Sequence, residues 1–365
     1  MANLHLAGPV IADDETVFEQ AWVADGVLRL GEAPDQAGAA SGNWETINGF
    51  VVPGLVDVHC HVGLDSGGAV EPQLALKQAM LDRDAGTLLI RDAGSPTQTA
   101  FIHDVAEAPR LIRAGRFIAR PKRYLRHFAR EIEVADLPRV VAEEARAGDG
   151  WVKIIADWID RDAGDLTPLW PADVLAEAIA AAHAEGARVT AHTFATESID
   201  PLLDAGIDCI EHGTGMTREQ LERAAAMGVP VVPTLLQISN FESFAAQADG
   251  KFPRYAARMR GMYQARYEQV HTMWESGVQL LVGTDAGGSI GHGALPAECG
   301  ELAQAGIPAM DILGAASWRA RAYLGANGIA EGASADVVVY PRDPREDISV
   351  LAEPTAIILR GERVA

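Results

Sequence analysis

The sequence predicts an α/β fold, a (β/α)8 TIM barrel with a small β-sandwich domain formed by both termini. Two observations lead to this prediction. An amphipathic helical stretch, a glycine and a short apolar run recur in that order along the middle of the chain, whereas both ends show short apolar runs broken by turns. A chain of 365 residues is long enough for one large barrel and a satellite domain.

The recurring pattern marks most of the barrel strands. Glycine just past a helix is a common left-handed terminator, and a short β-branched run after it is typical of a buried parallel strand. The glycines that begin these runs are Gly86, Gly150, Gly186, Gly206, Gly228 and Gly277. Strands at Leu55 to His61 and Arg116 to Ala119 complete the set. A doubly wound open sheet is the alternative, but it normally has a glycine-rich phosphate loop after its first strand, and this sequence has none there.

The two ends of the chain predict the second domain. Residues 22–30 and 335–340 show the short apolar runs and flanking turn residues of β-strands. Neither segment contains the helix-glycine-strand pattern of the middle. We therefore expect residues 1–50 and 328–365 to form the small β-domain, and residues 51–327 to form the barrel.

Composition disfavours several classes of function. The formal net charge of −21 at pH 7 repels nucleic-acid phosphates and anionic lipid surfaces. The sequence shows no apolar run long enough for a membrane span and no signal-peptide pattern at its start. The three cysteines form no Cys-x-x-Cys pair, which favours a reducing compartment. We expect a cytoplasmic protein whose partner is a small-molecule substrate, with oligomerisation left open.

The ends of several predicted strands carry side chains suited to metal binding. His59 and His61 lie on one face of their strand, because strand side chains alternate. Neighbouring imidazoles suit a metal that prefers nitrogen ligands, although alone they are more typical of two polar residues at a loop edge. Three other strand ends supply His192, His212 and Asp285. Since barrel enzymes keep their active sites at the C-terminal ends of the strands, we expect these five side chains to converge.

Lys153 is an exception within an otherwise apolar strand, residues 151–155. A buried ammonium group is costly unless it is paired or has lost its charge. One interpretation is an ion pair with an aspartate such as Asp157. The other is carboxylation of the amine, which would turn the lysine into a ligand able to bridge two metal ions.

Residues 53–61 resemble the opening motif of the amidohydrolase superfamily. The order His-x-His, Lys, His, His, Asp along the chain is also that of the superfamily, and residues 328–339 are similar to its return into a β-domain. The resemblance covers nearly the whole chain. Residues 90–94, 209–213 and 283–287 look like the branch that holds metal-dependent Xaa-Pro and Xaa-Arg dipeptidases and imidazolonepropionase-like proteins.

This resemblance implies two divalent metal ions. Zinc is the usual match for histidine and carboxylate ligands, and manganese, cobalt and iron also fit them. The implied ligands are His59, His61 and Asp285 for one ion, His192 and His212 for the other, and a carboxylated Lys153 joining the two.

The sequence departs from that branch in two loops. The branch tends to have glycines after the lysine, where this chain has residues 156–158, and a Gly-Gly-His loop after strand three, where this chain has the basic segment 120–127. Because these loops contact substrate, the substrates of that branch cannot be assigned to this chain. Our candidate substrate contacts are Tyr124, Arg126, His127, Trp158 and His292. An arginine there could receive a substrate carboxylate, and the alternative is a solvated loop paired with Glu131 and Glu133.

We therefore expect a metal-dependent amidohydrolase that cleaves a C–N amide bond in a dipeptide, an N-acyl compound or a cyclic amide. A metal-bridging hydroxide would attack, with Asp285 as general base and then general acid. The alternatives are a mononuclear-type deaminase, an imidazolonepropionase-like ring hydrolase, and a lactone or ester hydrolase. The deaminase ranks lower because the sequence offers no obvious proton-shuttling glutamate. An inactive scaffold is disfavoured because the full set of candidate ligands is present.

Overall fold

The computed structural model describes residues 3–31 and 44–365, so the predicted β-domain falls partly outside the described residues, at 1–2 and 32–43. The middle of the chain forms a barrel of parallel strands with helices around it, which confirms the predicted TIM-barrel-like α/β fold. Within the described ranges, no helix combines the length and the apolar character needed to cross a membrane.

The first seven barrel strands pair in parallel with their neighbours in chain order. Their bounds are Leu55–Cys60, Thr87–Asp92, Arg110–Arg113 continued by Ile118–Ala119, Trp151–Ile155, Arg188–Thr193, Cys209–His212 and Val231–Val232. The residues of these strands are almost all buried, which agrees with their apolar, β-branched composition. All six glycines predicted to end a helix have positive φ angles, between 69° and 89°.

The third barrel strand is longer than the sequence pattern predicted, and it is split. Arg110–Arg113 pairs with the second strand, whereas Ile118–Ala119 pairs with the fourth. The prediction of Arg116 to Ala119 missed the first half. Gly115 interrupts the strand with a φ of 70°. Because the strand turns there, the alternating pattern of the sequence does not continue from one half to the other.

The eighth barrel segment closes the barrel without a regular strand. Isolated bridges join Leu280 to the seventh strand and Ala286 to the first. The backbone N–H of Val58 donates to Val282 at 3.0 Å, and that of Asp285 donates to His59 at 2.7 Å. This segment therefore brings Asp285 beside the end of the first strand.

The helices surround the barrel and follow its strands. They are Pro72–Asp84, Leu137–Ala147, Ala172–Ala184, Ile199–Asp204, Arg218–Met227, Leu235–Ile238, Phe241–Ala248, Pro253–Glu275, Leu295–Gln304, Ala309–Ala316 and Trp318–Leu324. Sequence signals explain both ends of the helix Arg218–Met227. Thr217 and Gln220 form a capping box at the start of one helix, and Gly228 ends that helix in the left-handed conformation.

Strands from both ends of the chain form one mixed sheet beside the barrel. They are Leu4–Ile11, Val17–Ala24, Val27–Leu30, Glu45–Asn48, Phe50–Pro53, Val337–Tyr340, Ala356–Leu359 and Glu362–Arg363. Side chains alternate between the two faces of the strand Val337–Tyr340. Val337 and Val339 pack in the core of the sheet, whereas Val338 and Tyr340 pack against the barrel core. In this strand, every second residue therefore packs against the barrel.

Further short strands lie around the C-terminal mouth of the barrel. Asp157–Asp160 and Asp165–Pro168 form one antiparallel hairpin, and Leu64–Asp65 and Gly68–Ala69 form another. Arg130–Glu131 adds to the end of the third barrel strand. These short strands surround the space above the C-terminal ends of the barrel strands.

Candidate metal centre

The six side chains singled out as metal ligands lie together at the C-terminal mouth of the barrel. They come from the first, fourth, fifth and sixth strands and from the eighth segment: His59, His61, Lys153, His192, His212 and Asp285. The most exposed of these side chains, Asp285, is 13% accessible. A cluster of six titratable side chains with so little solvent exposure is typical of a functional site.

His59, His61 and Asp285 form the first group. Both imidazole Nε2 atoms approach Oδ1 of Asp285, at 3.1 Å for His59 and 3.0 Å for His61. His61 Nδ1 is 2.7 Å from the carbonyl oxygen of Gly94, which orients its ring. Ligand atoms of the three side chains lie within 4.8 Å of one another, close enough to share one metal ion.

His192 and His212 form the second group. His212 Nε2 lies 3.0 Å from His192 Nδ1, and His212 Nδ1 lies 2.6 Å from the hydroxyl of Thr234. His212 faces the site because its backbone is left-handed, with a φ of 64°. Nε2 of His192 is buried without a hydrogen-bond partner among the described residues.

Burial keeps these two histidines neutral. It holds the pKa of both imidazoles well below the usual value, and the Lys153 charge acts in the same direction on His192. A neutral imidazole has a lone pair available for a metal. The unsatisfied nitrogen of His192 and the mixed nitrogen and carboxylate donor set therefore fit divalent metal ions.

Asp285 is ionised in the same environment. Its burial opposes ionisation, but the charge and hydrogen bonds of His59 and His61 outweigh it and hold the pKa of Asp285 well below the usual value. A carboxylate that stays ionised can act as a metal ligand and as a proton acceptor.

Lys153 contacts a glutamate that the sequence analysis did not assign. Its ammonium group forms a buried ion pair with Glu211, whose carboxylate also accepts a hydrogen bond from the Thr190 hydroxyl at 2.8 Å and lies 3.3 Å from Arg91 Nη2. Glu211 Oε2 is 3.7 Å from His59 Nε2. The strand alternation of Cys209–His212 was the available signal, because it turns Glu211 into the barrel.

Asp157, the aspartate considered as a partner for Lys153, has a different role. It accepts hydrogen bonds from the Thr193 hydroxyl at 2.6 Å and from the backbone N–H groups of Phe194 and Ala195. These bonds bind the loop after the fifth strand to the loop after the fourth. The interpretation that Lys153 pairs with Asp157 is therefore wrong, because the buried partner of Lys153 is Glu211.

A pocket of about 530 Å³ opens above the metal-ligand cluster. Its walls are largely aromatic, and the lining residues include His61, Tyr124, Arg126, Phe128, Trp158, His192, Phe194, Phe244, Tyr255 and Asp285. Among the candidate substrate contacts, Tyr124, Arg126 and Trp158 line this pocket. His127 and His292 do not; the His292 ring is 2.8 Å from Asp82 and links the loop after the eighth segment to the first helix.

The basic loop after the third strand is only partly neutralised. Arg123 pairs with Asp160 at 3.0 Å. Arg130 pairs with Glu143 and Glu144 rather than with the nearby glutamates that we considered. Arg126 has no ion pair or hydrogen bond to any other described residue, although it lines the pocket.

Comparisons with known proteins agree with this architecture. The sequence model of the Amidohydrolase family matches residues 50–364. The uncharacterized protein Rv2915c of Mycobacterium tuberculosis is 48% identical over 98% of this chain and 95% of its own length. Ochratoxinase of Aspergillus niger is 24% identical over 61% of this chain and 47% of its own length. A crystal structure of a Xaa-Pro dipeptidase with bound methionine has a similar fold, with a TM-score of 0.82 at 22% identity over 99% of both chains.

Proposed function

The chain belongs to the amidohydrolase family, and from this membership we propose that it is a metal-dependent hydrolase that cleaves a C–N amide bond in a small molecule. A dipeptide, an N-acyl compound and a cyclic amide are the substrate classes considered. The observation that carries this proposal is the convergence of ligand-type side chains from five barrel segments beneath one pocket.

The proposal includes two divalent metal ions, with zinc as the usual match for these ligands. His59, His61 and Asp285 would hold one ion, His192 and His212 the other, and Lys153, once carboxylated, would join them. When bound, such ions lower the pKa of water toward about 7 and polarise a substrate carbonyl. The neutral imidazoles and the unpartnered Nε2 of His192 support this assignment.

Asp285 is the group that we propose to move the proton. It lines the pocket, and both of its histidine contacts are to Oδ1. Oδ2 is therefore available to accept a proton from the attacking water and return it to the leaving nitrogen. Tyr124 and Trp158, whose ring centroids are 4.6 Å apart, would orient the substrate and exclude bulk water above this carboxylate.

We also infer that residues 1–50 and 328–365 form a small β-sandwich domain and that residues 51–327 form the hydrolase barrel. The separate core of the terminal sheet supports this division. A cytoplasmic location is part of the proposal, and the buried, unpaired state of Cys60, Cys209 and Cys299 agrees with it.

The contact between Lys153 and Glu211 favours a second candidate function. If Lys153 keeps its ammonium charge, it pairs with Glu211 and bridges no metal ions. The site would then hold one metal ion at His59, His61 and Asp285, which suits a mononuclear-type deaminase or an imidazolonepropionase-like ring hydrolase. A lactone or ester hydrolase remains a further alternative on the same ligands.

Metal content distinguishes the two candidates. The protein is produced with zinc and bicarbonate, and metal per chain is measured by elemental analysis for the wild type, for Lys153→Ala and for the control Lys77→Ala, whose side chain is exposed on the first helix. We expect about two metal ions in the wild type and the control, and about one or none in Lys153→Ala. About one ion in all three proteins would contradict the carboxylated bridge and support the mononuclear alternative.

A further inference from the structure

A second cluster of ligand-type side chains lies behind the first barrel strand, away from the lining of the pocket. Sγ of Cys60, a carboxylate oxygen of Asp82 and a ring nitrogen of His292 lie within 4.8 Å of one another. Cys60 has no accessible surface, and the side chains of Asp82 and His292 are each 3% accessible. Sulfur, nitrogen and oxygen donors gathered at such distances suit a divalent metal ion.

The alternation of the first strand explains the position of the thiol. Cys60 alternates with the two histidines of this strand, so its side chain points away from the barrel interior. It lies in the same apolar cluster as Ala75 and Ala79 of the first helix, Pro72–Asp84. Asp82 belongs to the last turn of that helix, and its carboxylate therefore reaches the outer side of the strand.

The loop after the eighth segment is held closely on this helix and brings in the imidazole. The backbone N–H of Gly293 donates to Oδ1 of Asp82 at 2.6 Å, and Nδ1 of His292 lies 2.8 Å from Oδ2. A Cβ atom on Gly293 would lie 3.2 Å from the carbonyl oxygen of Leu81, and its φ of 85° also favours glycine. The position of the His292 ring is therefore fixed by the backbone on both sides of the contact.

These contacts satisfy only half of the His292 ring. Its Nε2 atom is buried and has no hydrogen-bond partner among the residues that the structure describes. A buried polar atom without a partner typically costs about 1–3 kcal/mol. Nε2 of His192, in the metal-ligand cluster, is unpartnered in the same way. The His292 ring therefore has unused capacity to bind a ligand within this buried cluster.

We propose that Cys60, Asp82 and His292 bind a divalent metal ion, and we call this the rear metal site. Zinc is the best match, because it accepts thiolate, imidazole and carboxylate ligands together. Binding releases the proton of the thiol, and three protein ligands leave a fourth position for water. This ion is additional to those of the metal-ligand cluster, and the proposal does not depend on amide hydrolysis.

An ion at the rear metal site would stabilise the metal-ligand cluster from behind. Cys60 lies between His59 and His61 in the first strand, and His292 lies in the loop that follows Asp285. The ion would therefore tie both of these chain segments to the first helix. Because its ligands are almost inaccessible, it would enter while the chain folds.

The sulfur ligand gives the rear metal site a spectroscopic signature. Cobalt(II) bound to a thiolate shows an intense charge-transfer band in the near ultraviolet, which nitrogen and oxygen ligands do not produce. The protein is produced with cobalt in place of zinc, and absorption spectra are compared for the wild type, Cys60→Ser and His292→Gln. The matched control is Cys299→Ser, since Cys299 is also buried but lies on the helix Leu295–Gln304. We expect the band in the wild type and the control alone.

Zinc content gives a second measure. In protein produced with zinc, Cys60→Ser should hold about one ion per chain less than the wild type and Cys299→Ser. The rear metal site adds this ion to the wild type, Lys77→Ala and Lys153→Ala alike, so the loss on removing Lys153 still tests the carboxylated bridge.

A wild type without the charge-transfer band would overturn the rear metal site, as would a band or a zinc content that stays unchanged in a folded ligand variant. His292→Gln, which keeps the thiol, decides the question if Cys60→Ser does not fold. Either result leaves the proposed amide hydrolysis standing, because that reaction is assigned to the ligands on the other face of the strand.

Discussion

At the scale of single residues, burial decides which charged groups shape the site. Glu211 is fully buried among Lys153, Arg91 and His59. Its carboxylate therefore compensates the positive charges of Lys153 and Arg91 below the pocket. The charges of His59 and Lys153 hold the pKa of Glu211 well below its usual value, although burial alone would raise it. Replacing any member of such a group leaves an uncompensated buried charge, which typically costs several kcal/mol.

Glu298 is a buried carboxyl outside the metal-ligand cluster, and it makes stability depend on pH. Its oxygens accept hydrogen bonds from the backbone N–H groups of Leu235 and Leu236. Burial raises the pKa of Glu298 from 4.5 to about 8 in the folded protein. Between these two pH values the unfolded chain releases the proton and the folded chain keeps it, so stability falls as pH rises.

We predict that Glu298→Gln removes this dependence. The free energy of unfolding of the wild type, relative to the variant, should fall from pH 5 to pH 8, by as much as about 4 kcal/mol. Urea unfolding of both proteins at the two pH values measures the difference. A difference that stays the same at both pH values would show that Glu298 does not titrate in this range.

At the scale of elements, the irregular eighth segment positions the site. Its backbone passes so close to the first strand that a Cβ atom on Gly283 would lie 2.6 Å from Cβ of His59 and 2.7 Å from a methyl carbon of Val232. Two residues further on, Asp285 takes a φ of 57°. The close approach of this segment and the turn at Asp285 together set the distance between the aspartate and the two histidines of the first strand.

We predict that Gly283→Ala displaces His59 and lowers both stability and metal content. Overpacking of this kind costs about 1–3 kcal/mol. The control is Gly300→Ala, because Gly300 lies inside a helix and a Cβ atom there would meet nothing within 4 Å. That change should be neutral or stabilise by up to about 1 kcal/mol. Thermal unfolding and elemental analysis of both variants check this, and unchanged metal content in Gly283→Ala would count against the positioning role.

At the scale of the whole molecule, buried polar contacts join the terminal sheet to the barrel. Arg321 donates to the carbonyl oxygens of Gly54 and Asn327, at 2.8 and 3.0 Å, and the Ser317 hydroxyl donates to that of Pro53 at 2.7 Å. Gly54 connects the last N-terminal strand of the sheet to the first barrel strand. Burial lowers the pKa of Arg321 to about 10, which still leaves it charged at neutral pH.

We predict that Arg321→Met destabilises the protein by about 2–4 kcal/mol, because the buried carbonyl group of Gly54 and the part-buried one of Asn327 lose their donor. Turnover per folded molecule should stay the same, since the residue is remote from the pocket. Arg319→Met on the same helix is the control: its side chain is 33% exposed, and its ion pairs should contribute less than about 1 kcal/mol. Equal losses of stability in the two variants, measured by urea unfolding, would argue against this coupling.

The sequence by itself determined the family, the barrel, the sheet-forming ends and the side chains that meet at the mouth. The family follows from the resemblance of residues 53–61 and of the order of the candidate ligands to known motifs. The other features follow from local rules: strand side chains alternate, glycines end helices, and the carboxyl ends of parallel strands share one face. His59 and His61 could therefore be placed together from their spacing alone.

Tertiary structure alone decided the contacts between strands. The pairing of Lys153 with Glu211 instead of Asp157 depends on the register of the fourth to the sixth strand, which no local pattern encodes. The split of the third strand at Gly115 is equally invisible to periodicity. The unpaired state of Arg126 is also visible only in the tertiary structure, because an unpaired charge is recognised only when the positions of all potential partners are known.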